Sequence, residues 1–274
     1  PMRRWHLVEL ATSFSHNRGI LTVATVLGSE TVTLERRQKL ENGIQDFLSK
    51  RGVGALVRVI SAPDPFQGSE QLVETYGLGT LVPNTILLGD TKEGHHRAPY
   101  CRMVERFFFS KRNVLIVRDD EEKGYGERRI IDLWWGGLQA NGALMLILAY
   151  LLQSSLSWRN ARVRLKMVVP DEDAAKEARK NLAAMAERTR TGAEPHVLAA
   201  GGRAFFDILQ ESSKDADLVF MGIARPEAGE FEEYYADLRR KTEGLPSTVF
   251  VLAAEEIAFR EVLLRYDHVM DRVD

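Results

Sequence analysis

Apolar and polar residues alternate along this chain in two different rhythms. Short runs rich in Val, Ile and Leu are separated by longer stretches in which apolar residues recur at helical spacing. This alternation predicts a mainly parallel sheet covered by helices. In the first part of the chain we expect helices over 4–14, 34–50, 67–76 and 100–110, and strands over 20–27, 55–60, 85–88 and 113–117. Thr33 is predicted to cap the second of these helices and Gly52 to end it.

The second part of the chain repeats the same order of elements. It predicts strands over 130–135, 162–169, 196–199, 218–223 and 248–253, and helices over 142–152, 174–190, 204–212 and 231–241. The fold class expected is therefore α/β, with two tandem flavodoxin-like subdomains, each a mainly parallel five-stranded sheet with helices on both faces. The first copy opens with a helix and has no counterpart of strand 130–135. We expect its first, edge-defining strand to lie upstream of Pro1, missing from this chain.

This pattern divides the chain into four segments. Residues 1–118 are predicted to form the first α/β subdomain and 130–254 the second. The charged, glycine-containing stretch 119–129 is interpreted as a linker between them. Residues 255–274 are predicted to be a C-terminal helical tail.

Composition excludes several classes of protein. The 37 basic and 39 acidic side chains nearly cancel, so nucleic acid is not an expected partner. The single cysteine, Cys101, cannot form an internal disulfide, and it is interpreted as a small core residue in a reducing compartment. The most apolar stretch, 142–152, is far shorter than the roughly 20 residues that span a membrane. No signal segment opens the chain, which begins at Pro1, and we expect it to be a fragment of a longer protein.

The stretch 77–90, GLGTLVPNTILLGD, places two glycines ahead of an apolar run. Gly77 and Gly79 permit positive φ, and Pro83 disfavours helix at the residue before it. A turn that leads into a buried strand accounts for these residues without a ligand.

Several stretches together resemble the cytoplasmic C-terminal domain of the cation-chloride cotransporters. The most specific is Ile131-Asp132-Leu133-Trp134-Trp135, which is similar to that family's Asp-Val-Trp-Trp strand. The apolar helix 142–152 and the stretch 158–164 are similar to the family's next helix and its next strand entry. Earlier parts of the same domain are similar to two further stretches of this sequence: 19–35, and Gly77, Gly79 and Leu81 with Asn84-Thr85. One departure is Asn141-Gly142-Ala143, which stands where family members usually carry Asp-Gly-Gly.

The resemblance implies a cytosolic regulatory and dimerisation domain of a sodium-potassium-chloride or potassium-chloride symporter, with no catalysis of its own. Its partners would be a second copy and the membrane domain of the same polypeptide, at the cytoplasmic face of the cell membrane. No catalytic, cofactor-binding or metal residue is assigned. A weak contact with inner-leaflet headgroups is considered for the basic clusters 128–129 and 239–241, against a simple solvated surface.

The alternative is a soluble tandem universal-stress-type nucleotide-binding protein. The tandem layout also resembles that fold, whose ATP-binding members have a glycine-rich loop after the fourth strand. Here the candidate loops are Gly136-Gly137 and Gly222–Gly229, and neither has the spacing of a phosphate-binding motif. An enzyme on the same fold is a third option, because this architecture hosts many functions.

Other conspicuous residues are interpreted as structural. Trp134 and Trp135 should point to opposite faces of their strand, each under a different helical layer. Helix 142–152, apolar on all sides, is assigned to the interior in preference to an interface. His95-His96 are interpreted as solvated loop residues rather than metal ligands. The run 107–109, three phenylalanines, cannot all face one core, and one is expected to meet a neighbouring domain or protomer.

Overall fold

The computed structural model describes residues 4–16, 19–28, 32–91, 93–136, 139–189, 191–227 and 229–255. Elements of the first part are α1 (Trp5–Ser15), β1 (Thr22–Gly28), α2 (Leu34–Ser49), β2 (Leu56–Ala62), α3 (Pro65–Thr75), β3 (Thr85–Gly89), α4 (Arg97–Phe109) and β4 (Asn113–Arg118). The second part contains β5 (Ile130–Trp134), α5 (Gln139–Ser154), β6 (Arg162–Val169), α6 (Glu172–Thr189), β7 (Glu194–Ala199), α7 (Phe205–Ser213), β8 (Leu218–Gly222), α8 (Phe231–Lys241) and β9 (Thr248–Leu252).

Each helix and strand that the hydrophobic pattern predicts within the described residues is present, with ends that differ by a few residues. The predicted cap of α2 forms, because the Thr33 hydroxyl accepts a hydrogen bond from the Arg36 amide at 3.3 Å. Gly52, just after α2, has φ 72°, as expected of a residue that ends a helix. The predicted tail, 255–274, lies almost wholly outside the described residues.

The chain divides into two compact units. One comprises residues 1–115 together with 226–236, and the other 116–225 together with 237–274. The predicted division into 1–118 and 130–254 follows the same repeat but places 226–236 in the second subdomain. Segment 119–129, predicted as a linker, is a series of turns packed within the second unit. There the Asp217 carboxylate accepts hydrogen bonds from the amides of Glu127, Arg129 and Ile130.

In the second unit five parallel strands lie in the order β9-β8-β5-β6-β7. The first strand in sequence, β5, therefore lies in the middle, hydrogen-bonded to β6 on one side and β8 on the other. β9 is buried along its whole length, and β8 at every residue but Gly222. Such burial on both faces is typical of a parallel sheet covered by two helical layers.

In the first unit, β1 pairs with β2 in parallel, and β3 lies next to β4. By their place in the repeat, these strands correspond to β6, β7, β8 and β9. Within the described residues the first unit has no counterpart of β5, and β1 and β3 belong to separate sheets. The fold class thus agrees with the sequence pattern, whereas a first strand upstream of Pro1 stays a prediction. The description of that strand as an edge was wrong, because its counterpart β5 is central.

The helices bury the apolar faces that the pattern assigns to them. α5 lies largely in the interior of its unit, with Leu144, Met145 and Leu152 at 5% exposure or less. Cys101 on α4 is buried, and burial raises the pKa of its thiol to about 12. Among the described helices, none is both long enough and apolar enough to cross a bilayer.

Candidate functional site

The carboxylate of Asp132, at the centre of β5, is completely buried in the second unit. Asp132 lies opposite Arg164 in the parallel register of β5 and β6, and both side chains project to the same face of the sheet. The Arg164 guanidinium contacts both carboxylate oxygens, with its Nε 2.6 Å from Oδ1 and its Nη2 3.0 Å from Oδ2. A bidentate pair of this kind fixes the relative position of two strands.

Two further groups complete the environment of Asp132. The ammonium of Lys166, also on β6 and 2% exposed, lies 2.7 Å from Oδ2. The Ser213 hydroxyl at the end of α7 donates to the same oxygen at 2.7 Å and accepts from the Trp134 indole at 2.9 Å. Lys166 also donates to the carbonyl and, at 2.8 Å, to the hydroxyl of Ser212. Asp132 therefore has partners for both oxygens, and each of these partners is a side chain of the same unit.

Electrostatics reflect the different depths of these groups. Burial would by itself lower the pKa of the Arg164 guanidinium, but hydrogen bonds to Asp215 and Asp132 outweigh it and the net pKa is raised. The Lys166 ammonium has a lowered pKa because burial outweighs the attraction of Asp132. At the solvent-exposed end, the hydrogen bond from Arg164 lowers the pKa of Asp215. The network, two carboxylates and two cations, is close to neutral in total.

The crevice where doubly wound sheets bind ligands lies at the carboxyl ends of β5, β8 and β9. There the Asn141 side chain bridges two backbone groups, one just after β8 and one just after β9. Its amide nitrogen donates to the Ile223 carbonyl at 2.8 Å, and its amide oxygen accepts from the Ala253 amide at 2.8 Å. A Cβ on Gly222 would lie 2.9 Å from the Asn141 Cβ, so glycine is needed for this close approach. The protein's own side chain thus pairs with one backbone carbonyl after β8 and one backbone amide after β9.

Trp134 and Trp135 point to opposite faces of the sheet, as expected. Trp134 is 3% exposed and packs edge-to-face on Phe205 of α7, with ring centroids 5.6 Å apart. The Trp135 ring lies against Gly142 of α5, where a Cβ would come within 2.4 Å of it. Both indoles therefore serve helix packing, and Gly142 marks the contact between β5 and α5.

The glycine loops that were considered for phosphate binding lie partly outside the described residues. Gly136 lies in the described residues with open space around it, whereas Gly137 lies outside them. In the Gly222–Gly229 loop, Ala228 is likewise outside the described residues. Gly77 and Gly79 form the predicted turn, closed by two backbone hydrogen bonds of 3.0 Å between Leu78 and Leu81.

One group of possible metal ligands comes together in the first unit. The Glu93 carboxylate lies 3.2 Å from Nε2 of His95 and 3.1 Å from Nδ1 of His96. All three side chains are exposed, in agreement with their interpretation as solvated loop residues. That neither histidine binds a metal stays a prediction.

The remaining expectations concern the surface. Phe107 is buried and Phe109 is 57% exposed, so the phenylalanine run does divide between interior and surface. The basic clusters carry local counter-charges: Lys241 lies 2.7 Å from Asp237, and Arg129 2.9 Å from Glu127.

Asp132 and Arg164 stand in stretches that resemble the family, but the sequence pattern by itself gives them no role. Nor does the pattern mark Lys166 or Asn141 as polar groups of the interior. For Asp132 and its partner Arg164 a signal was available, because a carboxylate in the middle of an apolar strand is rare unless it is paired. No comparable signal marks Asn141, whose contacts depend on the distant residues 223 and 253.

Comparison with known proteins gives two kinds of result. Residues 4–125 match the model of solute carrier family 12; this match ends before the Asp-Leu-Trp-Trp strand that carried the resemblance most specifically. The solved cytoplasmic domain of a prokaryotic cation chloride cotransporter has a TM-score of 0.62 and 19% identity, over 93% of this chain and 95% of that one. A universal stress protein from Archaeoglobus fulgidus DSM 4304 has a TM-score of 0.55 and 14% identity, over 89% and 90%.

The two TM-scores, each over about nine-tenths of both chains, show a shared α/β fold. The resemblance to the cation-chloride cotransporters is confirmed over residues 4–125 by their match to solute carrier family 12.

Proposed function

We propose that the chain is a cytoplasmic regulatory and dimerisation domain of a membrane cation-chloride cotransporter and performs no catalysis itself. The observation that carries this proposal is the match of residues 4–125 to solute carrier family 12. The likeness of nearly the whole chain to the cytoplasmic domain of a cotransporter supports it. Its other partner would be the membrane domain of the same polypeptide.

The interior of the second unit supports a scaffold role. The charged groups in its sheet are paired with one another around Asp132, and Asn141 takes up the hydrogen-bonding groups at the strand ends. A nucleotide that bound the Ala253 amide and the Ile223 carbonyl would have to displace Asn141 from them. Each buried group left unsatisfied costs about 1–3 kcal/mol. These contacts disfavour nucleotide binding at those two groups, which the universal-stress-type alternative could use.

Calorimetric titration with ATP tests the proposal against that alternative. We expect no heat of binding at millimolar ATP. An Asn141→Ala variant, which opens the crevice, controls for occlusion by this side chain. Micromolar ATP binding by the unsubstituted chain would favour the nucleotide-binding function instead.

Dimerisation rests on exposed apolar side chains rather than on the α5 interior. Leu156 is 87% exposed, Phe109 57% and Tyr150 41%. Sedimentation velocity should give a concentration-dependent dimer. Leu156→Glu and Phe109→Glu would show which surface is used, since only the variant at the interface should shift the equilibrium to monomer. A monomer for the unsubstituted chain at high concentration would contradict dimerisation.

A further inference from the structure

The two units of this chain differ at one position of the repeat. In the second unit β5 lies between β6 and β8 and is parallel to both. In the first unit β1 and β3 hold the places of β6 and β8, and within the described residues no strand joins them. We call the place between β1 and β3 the strand slot.

Backbone groups of both flanking strands face the strand slot. The Leu21 carbonyl accepts from the Leu56 amide on the β2 side of β1, at 2.8 Å. Because alternate residues of a parallel strand bond to the same neighbour, the amides of Thr22, Ala24 and Val26 point away from β2, to the strand slot. On the β4 side of β3, the Asn84 carbonyl accepts from the Asn113 amide. By the same alternation, the β3 amides at 85, 87 and 89 point away from β4, to the slot.

Helices cover the strand slot on both faces. On one face, α1 contacts β3, and its Trp5 and Val8 share an apolar cluster with Val23 of β1. On the other face, a Cβ at Gly68 of α3 would lie 2.7 Å from the side chain of Val26. Residues 23 and 26 project to opposite faces of β1, so α1 and α3 lie on opposite faces of the strand slot.

α4 supports the second strand on its side of the slot. The Tyr100 hydroxyl donates to the Gly89 carbonyl at the end of β3, at 3.1 Å.

Burial agrees with a place left open. No residue of β1 or β3 is buried, although both strands are mostly apolar. Their counterparts are covered: β8 is buried at four of its five residues, and Val163 and Leu165 of β6 are fully buried. We attribute the lower burial of β1 and β3 to the lack of a paired strand on one side of each, within the described residues, and not to their residue types.

We propose that the strand slot receives a short, apolar, parallel strand from the same polypeptide, located directly ahead of α1. The second unit gives the spacing, because positions 135–138 separate β5 from α5. The same spacing ahead of α1, which begins at Trp5, places the end of the strand next to Pro1. Apolar residues on both faces are required, since helices lie on both sides of the slot. This inference does not depend on the proposed transport function.

Hydrogen exchange measured by mass spectrometry tests the proposal. The 274-residue chain is compared with one that includes about 15 natural upstream residues, enough for a strand of ordinary length and its flank. We expect amides in 22–28 and 85–89 to exchange roughly tenfold more slowly in the longer chain, because ladder hydrogen bonds protect them. Amides of β8 and β9 should not change, which controls for a general gain in stability.

A proline in the middle of the upstream strand should abolish this protection, because it removes a ladder donor. A proline in the connection ahead of α1 is the matched control and should leave protection in place. If the longer chain does not fold, a synthetic peptide with the upstream strand sequence, added to the 274-residue chain, replaces it. The proposal is overturned if exchange in 22–28 and 85–89 does not slow in either experiment. It is equally overturned if protection depends on protein concentration, which would identify a strand from a second copy.

Discussion

Asp132 illustrates how one buried charge can determine the register of two strands. It is 0% exposed, and its oxygens bind Arg164, Lys166 and Ser213. A slip of one residue between β5 and β6 would turn Asp132 to the other face, away from all three of these partners. The pair therefore contributes specificity of pairing, whatever its net contribution to stability.

Replacement of Asp132 tests this directly. Asp132→Asn keeps the shape but leaves the two cations without their carboxylate, and we expect a loss of about 3–5 kcal/mol in the free energy of unfolding. Asp215→Asn is the matched control, since that side chain is 54% exposed and should cost less than about 1 kcal/mol. Urea unfolding followed by circular dichroism measures both. Equal losses for the two variants would contradict the role of burial.

Asp215 gives the chain a stability term that depends on pH. The hydrogen bond from Arg164 lowers the pKa of its carboxyl in the folded state. The unfolded chain then binds more protons between the two pKa values, so this stabilisation is complete above the unfolded pKa and is lost as pH falls. The unfolded Asp carboxyl has a pKa of about 4. The urea midpoints of the unsubstituted chain and of Asp215→Asn should therefore converge as the pH falls from about 5 to about 2. A constant difference over that range would rule out this linkage.

Asn141 is predicted to be a position where an isosteric carboxylate fails. Asn141→Asp can accept from Ala253 but can donate to Ile223 only when protonated. We expect burial to raise the pKa of the new carboxyl, so the variant should lose stability as pH rises through about 4 to 7. Thermal melts at pH 4.5 and pH 7.5 measure this, with exposed Asn160→Asp as the control. A variant equally stable at both pH values would mean that the amide contacts are unimportant.

At the scale of elements, the contact between β5 and α5 depends on a residue without a side chain. A Cβ at Gly142 would lie 2.4 Å from the Trp135 ring, closer than packed atoms approach. Helix propensity alone would favour alanine at this position by about 1 kcal/mol. The steric effect opposes the propensity effect, and their balance can be measured.

We expect Gly142→Ala to destabilise the chain by about 1–2 kcal/mol, because overpacking outweighs propensity. In a Trp135→Ala background the clash is gone, and the same substitution should become stabilising by about 1 kcal/mol. Gly136→Ala is the control, since nothing lies within 4 Å of its Cβ position. A double-mutant cycle of unfolding free energies with no coupling would contradict the contact.

Elements were predictable from sequence because each depends on local periodicity. The residues of β8 and β9 read as apolar runs, and the cap at Thr33 and the stop at Gly52 follow from local chemistry. The order of strands depends on pairings between distant residues, which periodicity does not encode. For that reason the missing strand was expected at an edge, whereas its counterpart β5 lies in the centre.

The interior polar contacts were less predictable for the same reason. Asp132 and Arg164 stand in stretches that carried the family resemblance, but their pairing requires the register of β5 and β6. The contacts of Asn141 to Ile223 and Ala253 bring together positions more than 80 residues apart in the chain. A charged stretch such as 119–129 gives the pattern of a linker, yet Asp217, far along the chain, anchors it as a packed turn.

At the scale of the whole molecule, the chain combines a paired interior with a fold shared by proteins of different function. Fold likeness alone does not distinguish a transporter domain from a universal stress protein. The match of residues 4–125 to solute carrier family 12 favours the transporter domain proposed above. Because the proposed role is to regulate transport, its decisive test requires the complete parent polypeptide.

That test is chloride-dependent uptake of a cation tracer by cells that express the parent polypeptide. Three forms are compared at equal surface abundance: the unsubstituted parent, the parent with Asp132→Asn, and the parent with Asp215→Asn as the control. We predict chloride-dependent uptake by the unsubstituted parent, a severalfold change with Asp132→Asn, and little change with Asp215→Asn. Uptake that does not depend on chloride, or that is the same in all three forms, would contradict the assignment of this chain as a regulatory domain of a cation-chloride cotransporter.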